Sequence, residues 1–182
     1  MTVNGGSLAS LAAFTLLLAS CQAADAGAVV AEETAAEESG RDFLDQAAAV
    51  HPPGESFACT PTKVWDGDGP IHCAEGPRIR LSGIAARETD GTCSPGHPCP
   101  SATAEEARDT LAALLGRTTG TAPQGHLLIE GPVLTCRAVG SAGGKRTAAW
   151  CESPTKGDLS CAMVASGTVE KWDRYWRAHS CT

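Results

Sequence analysis

The chain has 182 residues and a formal net charge of −7, with charged residues at 19% and aromatic residues at 4%. That length supports one domain with attachments, and the sequence contains no internal repeats. The charge is unevenly placed. Residues 22–55 carry eight acids against the single base Arg41, whereas from Ser56 onward thirteen acids meet thirteen bases. A neutral domain lacks the basic stripe that gives strong nonspecific affinity for nucleic acid, although it leaves room for a local arginine cleft.

The first twenty residues contain no charged side chain, and Leu8 to Leu18 is an apolar run. It has signal-peptide length and is too short for a membrane span of about 20 residues. It ends in Leu18-Ala19-Ser20-Cys21. That sequence is similar to a bacterial lipobox, which makes Cys21 the expected lipidation site and membrane anchor. Ordinary secretion after Gln22-Ala23-Ala24 is the alternative. The expectation is an exported outer-membrane or periplasmic lipoprotein, otherwise a secreted protein, monomeric in either case. Three regions follow: a signal peptide over 1–21, an acidic Ala/Glu-rich tether over 22–55, and a domain over 56–182. A segment so rich in acid and poor in large apolar residues cannot bury enough surface to fold alone.

Nine cysteines is an odd count. Assigning Cys21 to lipid leaves eight, which in an exported domain read as a disulfide framework with 105 possible pairings. Local pairing is expected along the elements: Cys59 with Cys73, Cys93 with Cys99, Cys136 with Cys151, and Cys161 with Cys181. Cys93, His97 and Cys99 could alternatively hold zinc, but Pro95, Pro98 and an oxidising compartment favour the disulfide.

Taken in chain order, short strands are predicted over 57–64, 71–74 and 78–84. Thr103 and Glu106 form a capping-box pattern ahead of a helix over 104–115, with Leu111, Leu114 and Leu115 on one face. Strands over 125–137 and 146–152 come next. Asp158 is a candidate cap for a helix bearing Cys161, Met163 and Val164. Trp172, Tyr175 and Trp176 lie at helical spacing and read as core or covering residues rather than a base-stacking platform.

The chemistry concentrates between Val64 and Glu88. Asp66-Gly67-Asp68-Gly69 sets two carboxylates on a tight turn, and an alternating strand follows with Arg78 and Arg80 between apolar neighbours. Carboxylates bind hard cations, a guanidinium grips phosphate, and a carboxylate such as Glu88 can take a proton from attacking water. Plainer roles exist for each. Asp-Gly is favoured in hairpin turns whatever the function, and strand arginines can simply be solvated.

The segment resembles the staphylococcal nuclease (thermonuclease) family, whose pattern is D-G-D-T followed by R-L-x-x-[IV]-D-x-P-E. Arg80, Leu81, Ile84 and Glu88 fall in register with it, and Gly143-Gly144-Lys145-Arg146 falls where the family has a Gly-Arg pair. The resemblance covers roughly residues 57–176. It implies an α+β fold, a five-stranded OB-type barrel with about three helices, here rich in disulfides. It also implies a phosphodiesterase with Arg80, Glu88 and Arg146 as catalytic residues, Asp68 supported by Asp66 as metal ligands, calcium as cofactor, and DNA or RNA as substrate. Three positions depart from the family. Ala85 stands where it has its second calcium aspartate, Arg87 replaces the proline, and Gly69 the threonine. Calcium takes six to eight oxygens, so the loss at Ala85 predicts a weakened cation site. A catalytically inactive OB module of the cell envelope is the alternative reading.

Overall fold

The computed structural model describes residues 50–181. The expected signal peptide, lipidation at Cys21 and nearly all of the tether lie outside the described residues. Among the described residues no helix is long and apolar enough to cross a membrane.

Among the described residues the fold is α+β, with three helices, eleven short strands and four disulfides. The chain opens with β1 (Ser56–Cys59) and β2 (Pro61–Val64), separated by Thr60 alone. The strands β3 (Ile71–Cys73), β4 (Arg78–Leu81) and β5 (Ile84–Ala85) precede helix α1 (Ala104–Leu115). Then come β6 (Arg117–Thr121), β7 (Leu127–Glu130), β8 (Leu134–Ser141), β9 (Thr147–Ser153) and β10 (Gly157–Asp158). Helix α2 (Leu159–Ser166), β11 (Glu170–Lys171) and helix α3 (Asp173–Trp176) complete the described chain. The main sheet runs β1-β8-β9-β4-β3-β2-β7-β6, with β10 paired to β9, while β5 and β11 form a second, two-stranded sheet. Pairing is antiparallel throughout except between β4 and β9.

Period-two burial explains why the sheet holds. Leu134, Cys136 and Ala138 of β8 face inward, as do Thr147, Ala149 and Cys151 of β9, while their neighbours face out. Cys136 and Cys151 are direct partners in register, so their bridge lies within the ladder. Cys59–Cys73 crosslinks the start of the chain to β3, and Cys161–Cys181 ties α2 to the last described residue. The core is aliphatic: Ile71, Ile79, Leu81, Ile84, Leu111, Leu115, Leu134 and Leu159 are fully buried. Each disulfide adds about 2–4 kcal/mol by restricting the unfolded chain, which offsets a core with only three Phe and one Tyr in the whole sequence.

Helix α1 begins as its capping pattern predicts. The Thr103 side chain accepts from Glu106 N, and the Glu106 side chain accepts from Thr103 N. Its inner stripe is Ala104, Ala107, Leu111, Ala112 and Leu115. Asp158 caps α2 by accepting from Cys161 N at 2.7 Å.

Three predicted strands divide and one strand went unpredicted; the run over 57–64 parts at Thr60 into β1 and β2. The run over 125–137 is two strands, because Gly131, Pro132 and Val133 interrupt it and proline cannot donate to a ladder. The run over 78–84 breaks at Ser82-Gly83, where Gly83 takes φ +73°. Strand β6 was not expected at all: Arg-Thr-Thr-Gly-Thr is almost wholly exposed and carries no apolar alternation to betray it.

Candidate functional site

The Asp-Gly-Asp-Gly turn is pinned from below by α1. A Cβ on Gly67 would lie 2.3 Å from the Ala107 Cβ, so only glycine lets the turn sit on the helix. Within the turn, Asp68 N donates to Asp66 Oδ1 at 3.1 Å, and the Asp68 carbonyl accepts from Leu81 N at 2.9 Å. These bonds aim the Asp68 carboxylate inward, where it is only 7% exposed.

Arg80 meets it there. Its Nη2 donates to Asp68 Oδ2 at 2.5 Å, and the same oxygen accepts from Ala86 N at 3.2 Å. The Arg80 guanidinium also lies 5.6 Å from the centre of the Trp172 ring. Burial pushes the Asp68 carboxyl upward, partly offset by Arg80 and the Ala86 N–H. Burial, with Asp68 and Glu88 nearby, holds Asp66 up at about 7.

The other expected residues surround this pair unevenly. Arg146 sits after the Gly143-Gly144 turn, with its guanidinium donating to the carbonyls of Gly143 and Ala142, and its charge reaches Asp68. Glu88 acts electrostatically on both aspartates while its Oε1 accepts from Ser94 Oγ at 2.6 Å. Ala85, in β5, is fully buried and pairs with Glu170 of β11. Arg87 is turned elsewhere, donating to the carbonyls of Gly91, Pro100 and Ala102. It therefore braces the 91–102 loop instead of supplying charge beside Asp68.

Two groups of three potential metal ligands occur among the described residues: Cys59, Cys73 and Glu75, and Asp158, Cys161 and His179. Neither includes Asp66 or Asp68, and the cysteines of both are in disulfides. Cys93 and Cys99 are likewise bonded to each other, so the zinc alternative there lapses. His97 instead packs on Trp172, with ring centres 4.1 Å apart.

A cleft of about 640 Å³ opens above the ion pair. Arg80 and Arg146 both line it, together with Trp150, Trp172, Tyr175 and His179. Gly83 shapes its floor, since a Cβ there would lie 2.4 Å from the Trp150 ring and 2.9 Å from Trp176. The aromatic reading from sequence holds for Trp176, which is buried. Trp172, half-buried, and Tyr175, 42% exposed, are the covering residues, and both line the cleft wall. Helical spacing suggested one face, but α3 spans only four residues and Trp172 precedes it. Trp150 alternates outward from β9, and that alternation is the signal that could have found it. His179 stacks on Trp150 at 3.7 Å and pairs with Asp158 at 3.0 Å. No known protein family, curated protein or solved structure matches the chain.

Proposed function

We propose that this chain is an exported nuclease-like protein whose cleft binds nucleic-acid phosphodiesters, DNA or RNA. One observation carries the reading: two arginines from distant parts of the sequence line a single cleft whose walls are aromatic. Guanidinium groups grip phosphate oxygens bidentately, and indole or phenol faces stack bases of any sequence. In this reading Arg80 and Arg146 hold the phosphate and Glu88 orients the attacking water.

The strand order supports an OB-type barrel as the finer fold. If β1 and β2 are taken as one strand bent at Thr60, then that strand, β3, β4, β9 and β8 follow one another cyclically, with the single parallel pair between β4 and β9.

Asp66 and Asp68 would hold the cation. Their mutual repulsion, with Glu88 added, is what a bound calcium would relieve, and calcium supplies Lewis-acid polarisation of the phosphate. The fit is poor in one respect. Ala85 contributes no oxygen, and Asp68 Oδ2 already accepts from Arg80. Calcium would therefore be held weakly, so the chain is expected to bind phosphodiesters and to cleave them slowly. The same ion pair favours the second reading, a catalytically inactive binding module of the envelope, because it occupies both a metal ligand and a phosphate-binding arginine.

A DNA and RNA zymogram with calcium and with chelator, alongside calorimetry with a nucleoside bisphosphate, tests the proposal. Binding with slow calcium-dependent cleavage is expected. Binding without cleavage supports the module, and absence of both rejects the nucleic-acid reading. Anchoring through Cys21 is tested by membrane partitioning, which Cys21→Ser should abolish.

A further inference from the structure

The outer face of β2, β3 and β4 carries a row of basic side chains that the cleft does not use. Lys63 is the register partner of His72, and His72 is the partner of Arg78. Directly opposed residues point to the same face. Their strand neighbours Val64, Ile71 and Ile79 are fully buried, so the row faces outward. No carboxylate balances it. Among the described residues neither Lys63 nor Arg78 joins an ion pair, and Glu75, in the turn between β3 and β4, is occupied by Thr60. Between the two cations, His72 has its pKa lowered to about 4, chiefly by burial and further by the charges of Lys63, His126 and Arg78, so it is a neutral imidazole in the row.

Each end of the row leads somewhere. Arg78 donates to the Gly144 carbonyl at 2.5 Å, which joins the row to the exposed Lys145 and to Arg146 at the cleft. Beyond Lys63, Trp65 packs against His126 with ring centres 4.7 Å apart, and His126 packs edge-on against His72. His126 Nδ1 is buried without a hydrogen-bond partner. The succession is thus an aromatic pair, two cationic residues flanking a neutral histidine on adjacent strands, and an arginine-lined cleft.

We propose that this face is a track for a single-stranded polynucleotide whose phosphates cross Lys63, His72 and Arg78 between the cleft and a stacking site at Trp65. The inference rests on the phosphodiester reading of the cleft and extends it from one nucleotide to a strand. A single strand fits because the row is one residue wide and lined by rings able to stack unpaired bases. The neutral balance of the domain conceals it, since the acids lie elsewhere.

Fluorescence anisotropy with a labelled dinucleotide and a labelled single strand of about 16 nucleotides tests the track. The dinucleotide fills only the cleft. Lys63→Gln should leave dinucleotide affinity unchanged and weaken the long strand, and Lys63→Gln with Arg78→Gln should weaken the long strand more than the dinucleotide. Two phosphate contacts fewer should also lower the salt slope of long-strand binding by about 1.4, at roughly 0.7 per contact. Because Arg78 also holds the Gly144 turn, Lys63→Glu serves as an independent variant, with a slope loss of about 0.7 or more. Unchanged long-strand binding in these variants overturns the track while leaving the cleft intact. If wild type binds neither ligand, the phosphodiester reading itself fails. Equal weakening of both ligands by Lys63→Glu also overturns the track, because it would mean that the row acts on the cleft.

Discussion

The Asp68–Arg80 corner and the aromatic rim of the cleft lie side by side but are built on opposite terms. In the corner, a carboxylate and a guanidinium are nearly out of solvent, and their charges are spent on each other. At the rim, Tyr175 and Trp172 remain open and Arg146 is held only by carbonyls of its own turn. A buried pair is costly to break and easy to leave idle. A rim of rings and a loosely held arginine is cheap to rearrange around a ligand. The contrast locates structural rigidity in the corner and ligand recognition at the rim.

The largest effect is expected from breaking the corner. Arg80→Ala leaves Asp68 buried without its partner, which should cost about 3–5 kcal/mol, read as a fall in urea midpoint. Asp68→Asn combined with Arg80→Gln should recover part of that loss. At the rim, Trp172→Ala should weaken nucleotide binding by about 1–3 kcal/mol, the usual worth of one stacked base. Its unfolding midpoint should move much less than that of Arg80→Ala, and equal losses in both variants would erase the distinction.

Ala85→Asp sharpens the comparison from the metal side. Charges a few ångströms apart are worth about 4 kcal/mol at an effective dielectric of 20 before desolvation. Because position 85 is fully buried, much of that is lost to desolvation, and a gain of about tenfold in calcium affinity is expected by calorimetry. Arg87, committed to the 91–102 loop, should not interfere.

The smallest effect is in the pH dependence of stability. Asp66 titrates near 7 in the fold, so its contribution is full below about 4 and lost as pH rises towards 7. His72, lowered to about 4, acts oppositely: its contribution is full above about 6.5 and lost as pH falls through 4. The two slopes oppose each other between about pH 4 and 6.5, and Asp68, whose carboxyl is also raised by burial, adds to the fall set by Asp66. Thermal melts of Asp66→Asn should therefore fall less, or rise more, with pH across that window than those of wild type.

Much of this was legible in the sequence where a local rule applies. The Thr103–Glu106 box fixed the start of α1, and neighbouring cysteines on consecutive elements foretold all four bridges. Other features depend on contacts that spacing cannot express. The coupling of Arg80 to Asp68 requires β4 to return beside the turn, and the missing carboxylate at Ala85 hints only at why Asp68 has an oxygen to offer. The rim as a whole was not legible because Trp150 and Trp172 come from a strand and a loop that meet only in the fold. The basic row was hidden because its three residues come from three strands in a domain of zero net charge.

The central claim is that Arg80, Arg146 and the aromatic rim form one phosphodiester-binding cleft. Tryptophan fluorescence during titration with a nucleoside 3′,5′-bisphosphate in chelator tests it most directly, since Trp150 and Trp172 both line the site. The account predicts saturable quenching in wild type and at least about tenfold weaker binding in Arg146→Ala, as expected for losing a charged hydrogen-bond donor. Absence of quenching in wild type, or equal affinity in the variant, would contradict it.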